Sequence, residues 1–199
     1  MGETALSETI AYFGYGSLVN LETLRTPFLE AHPARVTGWE RVWLARPKVP
    51  GSFAPIDGLA FLSVRPNRSQ TIDGMLIVDH KSSLASLDER EALYQRHEVT
   101  SDGLEIIGDY DGHKQSYIYV ADAVDAQPDA RILRSYIDAV MQGYLTHFGE
   151  EGVLRMLNST RNFGLEILED RDDPIYPRPV SLQKKEADFF DSAISEMRR

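Results

Sequence analysis

Through roughly the first 120 residues, apolar positions come in short aromatic and β-branched runs; after that they recur at helical spacing. Residues 10–15 form the first run and predict a buried strand ending at Gly16. Asn20 reads as the N-cap of a short helix starting at Leu21. A strand is expected over 36–44, carrying Trp39 and Trp43, and Pro47, Pro50, Gly51 and Pro55 make the next stretch a loop. Residues 58–64 and 72–78 read as two strands separated by the turn-forming Pro66-Asn67-Arg68-Ser69. Ser82 or Ser83 is placed to cap a short helix running to Ala92. Strands follow over 94–99, 104–107 and 116–120, with Asp102-Gly103 and Asp111-Gly112 as hairpin turns. Ile132, Leu133, Tyr136, Ile137, Val140, Met141, Tyr144, Leu145 and Phe148 then mark a helix of about five turns, with Pro128 near its start. A second helix is expected over 150–157, a charged loop over 169–174 and a final amphipathic helix over 182–198. Strands first and helices afterwards define an α+β chain, with a small barrel or strongly curved sheet and helices packed around it.

The 199 residues fit a single domain, with a core over about 10–150 and a helical extension over about 150–199. Acidic residues number 31 against 21 lysines and arginines, a net charge of −10. With no basic run to offset it, that charge argues against a nucleic-acid partner. Cysteine is absent, which excludes disulfides, thiolate nucleophiles, cysteine-ligated zinc and iron–sulfur clusters. The first residues form neither a signal peptide nor a myristoylation motif, and no apolar run approaches a membrane span, so a cytoplasmic location is expected. His32, His80, His97, His113 and His147 show no ligand spacing, and no metal site is expected.

Three local features bear on chemistry. Gly14-Tyr15-Gly16-Ser17-Leu18 has neither the third glycine of a dinucleotide loop, since position 19 is valine, nor the glycines of a nucleophile elbow. Between a strand and a helix start, its backbone N–H groups form either a concavity for a small carboxylate or oxyanion, or a plain tight turn. Glu91 shares a helical face with Leu84 and Leu87, and no cation lies one turn away on either side. Buried there, its pKa would rise toward that of a general acid–base; solvated, or paired with a distant arginine, it would do nothing of the kind. Tyr15, Tyr94, Tyr117, Tyr119, Tyr136 and Tyr144 fall at strand ends or on the long helix. Each either packs in the core or contributes to a polar-lined cleft.

Phe13-Gly14-Tyr15-Gly16-Ser17-Leu18 resembles the YGSN/YGSL signature of the γ-glutamylcyclotransferase superfamily, closest to its ChaC-like branch. Leu87-Asp88-Glu89-Arg90-Glu91, followed by Tyr94, resembles the second signature, whose last glutamate is catalytic. Ser116-Tyr117-Ile118-Tyr119 is similar to that family's SY strand, and Tyr136 followed by Gly143 to its "Y…GA" helix. The motifs stand in the right order across roughly residues 10–150. Two positions depart from the pattern: Leu18 replaces the asparagine of the simple cyclotransferases, and Ala92 a glycine often found there.

The resemblance implies a small mixed β-barrel flanked by helices and a cofactor-free cyclisation of a γ-glutamyl group to 5-oxoproline, releasing an amine, amino acid or dipeptide. Glu91 would be the catalytic proton shuttle. Backbone amides around Gly16, Ser17 and Leu18 would hold substrate oxygens, and Tyr15, Tyr94, Tyr117 and Tyr136 would line the pocket. The implied partner is a small γ-glutamyl compound, with no nucleic acid and no membrane. The alternatives are a family member that binds a small carboxylate without turnover, and an interaction domain working through the acidic loop 169–173 and the last helix.

Overall fold

The structure, a computed structural model, describes residues 9–25, 27–45, 57–91, 93–110, 115–123, 125–126 and 128–198. The proline-rich loop, Ala92 and the Asp111-Gly112 turn lie outside the described residues.

The six-residue strand β1 (Thr9–Gly14) is almost wholly buried, as its aromatic and aliphatic run requires. It is followed by two single 3-10 turns, Ser17–Val19 and Leu21–Thr23, in place of the expected short helix. Asn20 does cap the second of them, its side chain accepting the Glu22 N–H at 3.2 Å. β2 (Glu30–Ala45) and β3 (Ala60–His80) are far longer than the sequence suggests, 16 and 21 residues, and pair antiparallel along most of their length. The two strands expected around Pro66–Ser69 are therefore one. The turn chemistry is nevertheless present: Asn67 Oδ1 accepts from the Ser69 N–H at 3.2 Å and its hydroxyl at 2.8 Å. Register passes from Thr37↔Thr71 to Trp39↔Pro66, so residues 67–70 leave the ladder opposite Gly38 and then rejoin the same partner. A bulge, not a strand end, absorbs them.

Helix α1 (Leu84–Arg90) follows β3 and stops before the expected Ala92. Ser83 occupies its N-cap position, but its hydroxyl donates to Asp79 Oδ1 at 2.9 Å instead of capping the helix. Next come β4 (Gln95–Val99), β5 (Leu104–Ile106) and β6 (Ser116–Val120). Asp102-Gly103 makes no hairpin: β4 pairs with β6 and β5 pairs with β2, at opposite ends of the order β4-β6-β1-β3-β2-β5. That connection forces closure. Val99 and Leu104 are five Cα steps apart, at most about 19 Å, whereas the edges of a flat six-stranded sheet lie roughly 24 Å apart. The sheet must curl into the half-barrel anticipated for this chain. β1 and β6 run parallel, and the other pairs along this path are antiparallel.

Ile132 and Leu133, read as the start of the long helix, belong to β7 (Arg131–Leu133). Helix α2 (Arg134–Ser159) follows and is broken at Gly149, whose φ of 65° interrupts it just before the second helix predicted from Glu150. β8 (Thr160–Arg161) joins β2, and β9 (Glu166–Leu168) runs parallel to β7 in a separate two-stranded sheet. Helix α3 (Lys184–Met197) closes the chain and packs on α2. The charged loop expected over 169–174 is anchored to the helices beside it. Asp170 is buried and accepts the Ser135 and Ile175 N–H groups, and Arg171 bridges Asp138 and Asp191. No helix among the described residues is long and apolar enough to cross a membrane.

Candidate active site

The site is assembled where β1 runs out. After Gly14 the chain turns sharply, so that a Cβ at Gly14 would stand 2.5 Å from that of Leu18. Gly16 faces the Tyr136 hydroxyl, 3.0 Å from where a Cβ would sit. On its far side the turn is wedged against α2 at Gly143, where an added Cβ would come within 2.5 Å of the Asn20 nitrogen. Glycine at Gly143 lets α2 meet the turn backbone to backbone, and glycine at 14 and 16 leaves room for Leu18 and the Tyr136 hydroxyl. Below the turn, the Tyr144 hydroxyl supports the Tyr15 carbonyl at 3.0 Å.

Glu91 arrives from the other side. It is the C-cap of α1, its N–H bonded to the Leu87 carbonyl at 2.9 Å, and its own carbonyl accepts the Tyr94 N–H at 2.8 Å. This tight reversal places the Glu91 and Tyr94 side chains on one narrow cleft with Tyr15, Gly16, Ser17, Leu18 and Tyr136. Phe13, Leu62 and Tyr119 complete its wall. Tyr117 does not reach it: that ring lies under the Arg96 guanidinium, 5.3 Å from the ring centre. Tyr119, one of the six candidate tyrosines but not among those the resemblance assigns to the pocket, stands in its place and donates to Asp88 at 2.8 Å. Alternation puts 117 and 119 on one face, but only the strand register says which of them is level with the cleft. The helix also ends earlier than the reading of Glu91 on a helical face assumed. The carboxylate is carried by the turn and is half-buried.

The hydroxyls here are held protonated. Burial pushes the Tyr15, Tyr119 and Tyr136 pKa values up, and the Glu91 charge adds to each. Tyr15 donates to the Tyr119 carbonyl at 2.6 Å and Tyr94 to the Leu62 carbonyl at 2.9 Å. The Tyr136 hydroxyl faces the turn at Gly16. The cleft is about 30 Å³, room for about one water molecule. A carboxylate, neutral phenols and the glycine turn thus converge on a small, half-enclosed space. That set can move a proton and stabilise a nearby oxyanion. Among the described residues no cluster of three or more histidine, aspartate or glutamate side chains is placed to hold a metal ion.

This curled sheet with flanking helices is the γ-glutamylcyclotransferase-like fold. Among solved structures the chain is similar to a gamma-glutamyl cyclotransferase at TM-score 0.57 and 17% identity, covering 93% of this chain and 99% of that one. It is similar to an uncharacterised protein from Homo sapiens at TM-score 0.56 and 18% identity, covering 92% and 99%. YkqA from Bacillus subtilis matches at TM-score 0.58 and 15% identity over 77% of this chain and 55% of that one. No protein-family model matches the sequence, and no curated protein matches it.

Proposed function

We propose that the chain is a γ-glutamylcyclotransferase-type enzyme, folding a γ-glutamyl group back on itself and releasing 5-oxoproline. The observation that carries this reading is the meeting of Glu91 with the Tyr15-Gly16-Ser17-Leu18 turn in one cleft, from segments far apart in the chain. The Glu91 carboxylate takes a proton from the substrate α-ammonium, and the freed amine attacks the γ-carbonyl to form the ring C–N bond. The negative charge on the carbonyl oxygen is met by backbone N–H groups of the turn. Glu91 then hands that proton to the departing nitrogen as the original amide C–N bond breaks, and takes up the second proton that the ring nitrogen sheds once it is bonded to carbon. Passed to the released amine, which leaves as its ammonium, that proton completes the balance: two leave the attacking nitrogen and two arrive on the departing one. The reaction is intramolecular, so holding the chain in its folded, near-attack shape supplies much of the acceleration. A cleft of about 30 Å³ is too small for a γ-glutamyl group, since ligand pockets run to hundreds of cubic ångströms. Substrate entry therefore widens it.

The test is release of 5-oxoproline from glutathione, γ-glutamyl-alanine and γ-glutamyl-ε-lysine, with Glu91→Gln as the comparison. We expect product from at least one donor and a fall of about 10²–10⁴-fold in the variant, with the fold intact by circular dichroism. Undiminished turnover in Glu91→Gln removes this carboxylate from the mechanism. A folded wild-type protein giving no product from any donor would favour the carboxylate-binding alternative.

A further inference from the structure

A second cleft, of about 820 Å³, shares no lining residue with the tyrosine cleft. Two irregularities build it. The bulge of β3 at residues 67–70 supplies Gln70 and, beside it, Thr71 on one wall. The break of α2 at Gly149 starts the segment that lays Leu154, Arg155 and Asn158 along the other.

The chemistry of its base is unusual in a chain of net charge −10. Arg41 is only 1% exposed, and its guanidinium donates to the Asp73 carbonyl at 2.9 Å, the Tyr144 hydroxyl at 2.8 Å and Ser159 Oγ at 3.1 Å. Each of these acceptors is a neutral oxygen, so hydrogen bonding is satisfied while the charge has no carboxylate in direct contact among the described residues. Asp73, the one buried acid here, is already shared. Its two oxygens accept Nε of Arg35 and Nε of Arg155, each at 2.9 Å. Two guanidinium groups thus share one buried carboxylate, and a third, that of Arg41, is held on the main-chain carbonyl of the same residue. Among the described residues the other acids paired with these arginines are Glu151, which lines the cleft 3.9 Å from Arg155, and Glu105, 3.5 Å from Arg35. Both are exposed to water, where such pairs contribute little.

The Nε contacts to Asp73 also fix an orientation. Each arginine is tethered by its inner nitrogen, and the outer fork, with Nη1 near an exposed glutamate in each case, is the part that grips carboxylate and phosphate in two-point fashion. We propose that this cleft binds an organic oxyanion, phosphate- or carboxylate-bearing, held by the forks of Arg35 and Arg155 above the buried charge of Arg41. The ligand takes the place of Glu105 beside Arg35 and of Glu151 beside Arg155. The volume admits a body of nucleotide size behind the charged group, with Leu154 and the polar side chains of Gln70, Thr71 and Asn158 to contact it.

Titration calorimetry of the full chain with inorganic pyrophosphate and, separately, with citrate tests this. We expect saturable one-to-one binding of at least one probe. It should weaken by about tenfold or more, one hydrogen-bonded charge pair, in Arg35→Gln and in Arg155→Gln. It should be unchanged in Arg161→Gln, an exposed arginine paired to Glu40 outside the cleft. Pyrophosphate binding the tighter assigns the site to phosphates, and citrate the tighter to carboxylates. No saturable heat with either probe up to about 10 mM, far above the affinity of a built site, overturns the proposal. Equal affinity in wild type and Arg155→Gln does the same, and leaves the cluster as a clamp between β2, β3 and α2. Arg155 is half-exposed at the cleft edge, so its variant carries the test if Arg35→Gln does not fold.

Discussion

Tyr117 and Tyr119 are two residues apart on β6 with their side chains on one face, yet their surroundings differ. Tyr119 is buried, hydrogen-bonded to Asp88 and in the wall of the Glu91 cleft, whereas Tyr117 stacks with Arg96 away from it. Removing each hydroxyl in turn separates the two positions. Tyr119→Phe is expected to lower kcat/KM by about tenfold, the value of one hydrogen bond lost around the reacting groups. Tyr117→Phe should stay within about twofold of wild type, since it keeps the ring and its cation–π contact. Equal losses would mean that Tyr117 turns into the cleft when substrate opens it. The same hydroxyls bear on the assignment of the base. With Tyr15, Tyr119 and Tyr136 all shifted upward by burial and by the Glu91 charge, none becomes a phenolate at neutral pH. They donate hydrogen bonds, and the proton-accepting role falls to the carboxylate.

At the level of elements, what was legible was what is encoded locally. β1 announces itself by an unbroken apolar run, the break in α2 falls at a glycine, and Glu91 and the glycine turn sit in short contiguous motifs. β2 and β3 were underestimated because a strand extends as long as its partner does. Residues such as Asn67 and Ser69 have turn propensities that pairing on both sides overrides. Arg131–Leu133 was absorbed into the helical period because three residues paired to β9 carry no periodicity of their own. Tyr119, Phe13 and Leu62 could be placed at the site only through strand register. The start of α2 shows the same limit. Leu133, at its N-cap position, offers no capping side chain, and the role passes to Asp170 from 35 residues away. Its carboxylate takes the Ser135 N–H at 2.7 Å and the Ile175 N–H at 2.9 Å and also accepts the Ser135 hydroxyl. Asp170→Ala is expected to cost about 2 kcal/mol in chemical denaturation, the loss of charge-assisted hydrogen bonds that leaves buried donors unpaired. A cost below about 0.5 kcal/mol, that of an ordinary surface substitution, would show that water or a neighbour replaces the carboxylate.

Across the whole molecule, the segment after α2 is built into the sheet and core that precede it. β8 pairs with β2 and β9 with β7. Phe190, Ala193 and Ile194 of α3 lie in the same apolar cluster as Phe13, Trp43 and Tyr144. Its capping box, with Gln183 donating its N–H to Glu186 at 2.7 Å, fixes where α3 begins. Trp43 is fully buried on β2, and its ring meets Phe163 from the later segment and Tyr136 from α2, with centroids 6.0 and 5.8 Å away. Withdrawing the last 50 or so residues (about 50, one small subdomain at most) would open this aromatic contact and uncover the face of α2 beneath α3. The two parts are therefore expected to unfold together. Tryptophan fluorescence, which reports the β2 environment, and far-ultraviolet circular dichroism, weighted to α2 and α3, should give coincident denaturation curves with one midpoint. A helical loss preceding the fluorescence change would instead mark the C-terminal segment as a unit that comes away while the half-barrel stays closed. In that event the Glu91 cleft, whose wall includes Tyr136 of α2, should lose turnover with the first transition rather than the second.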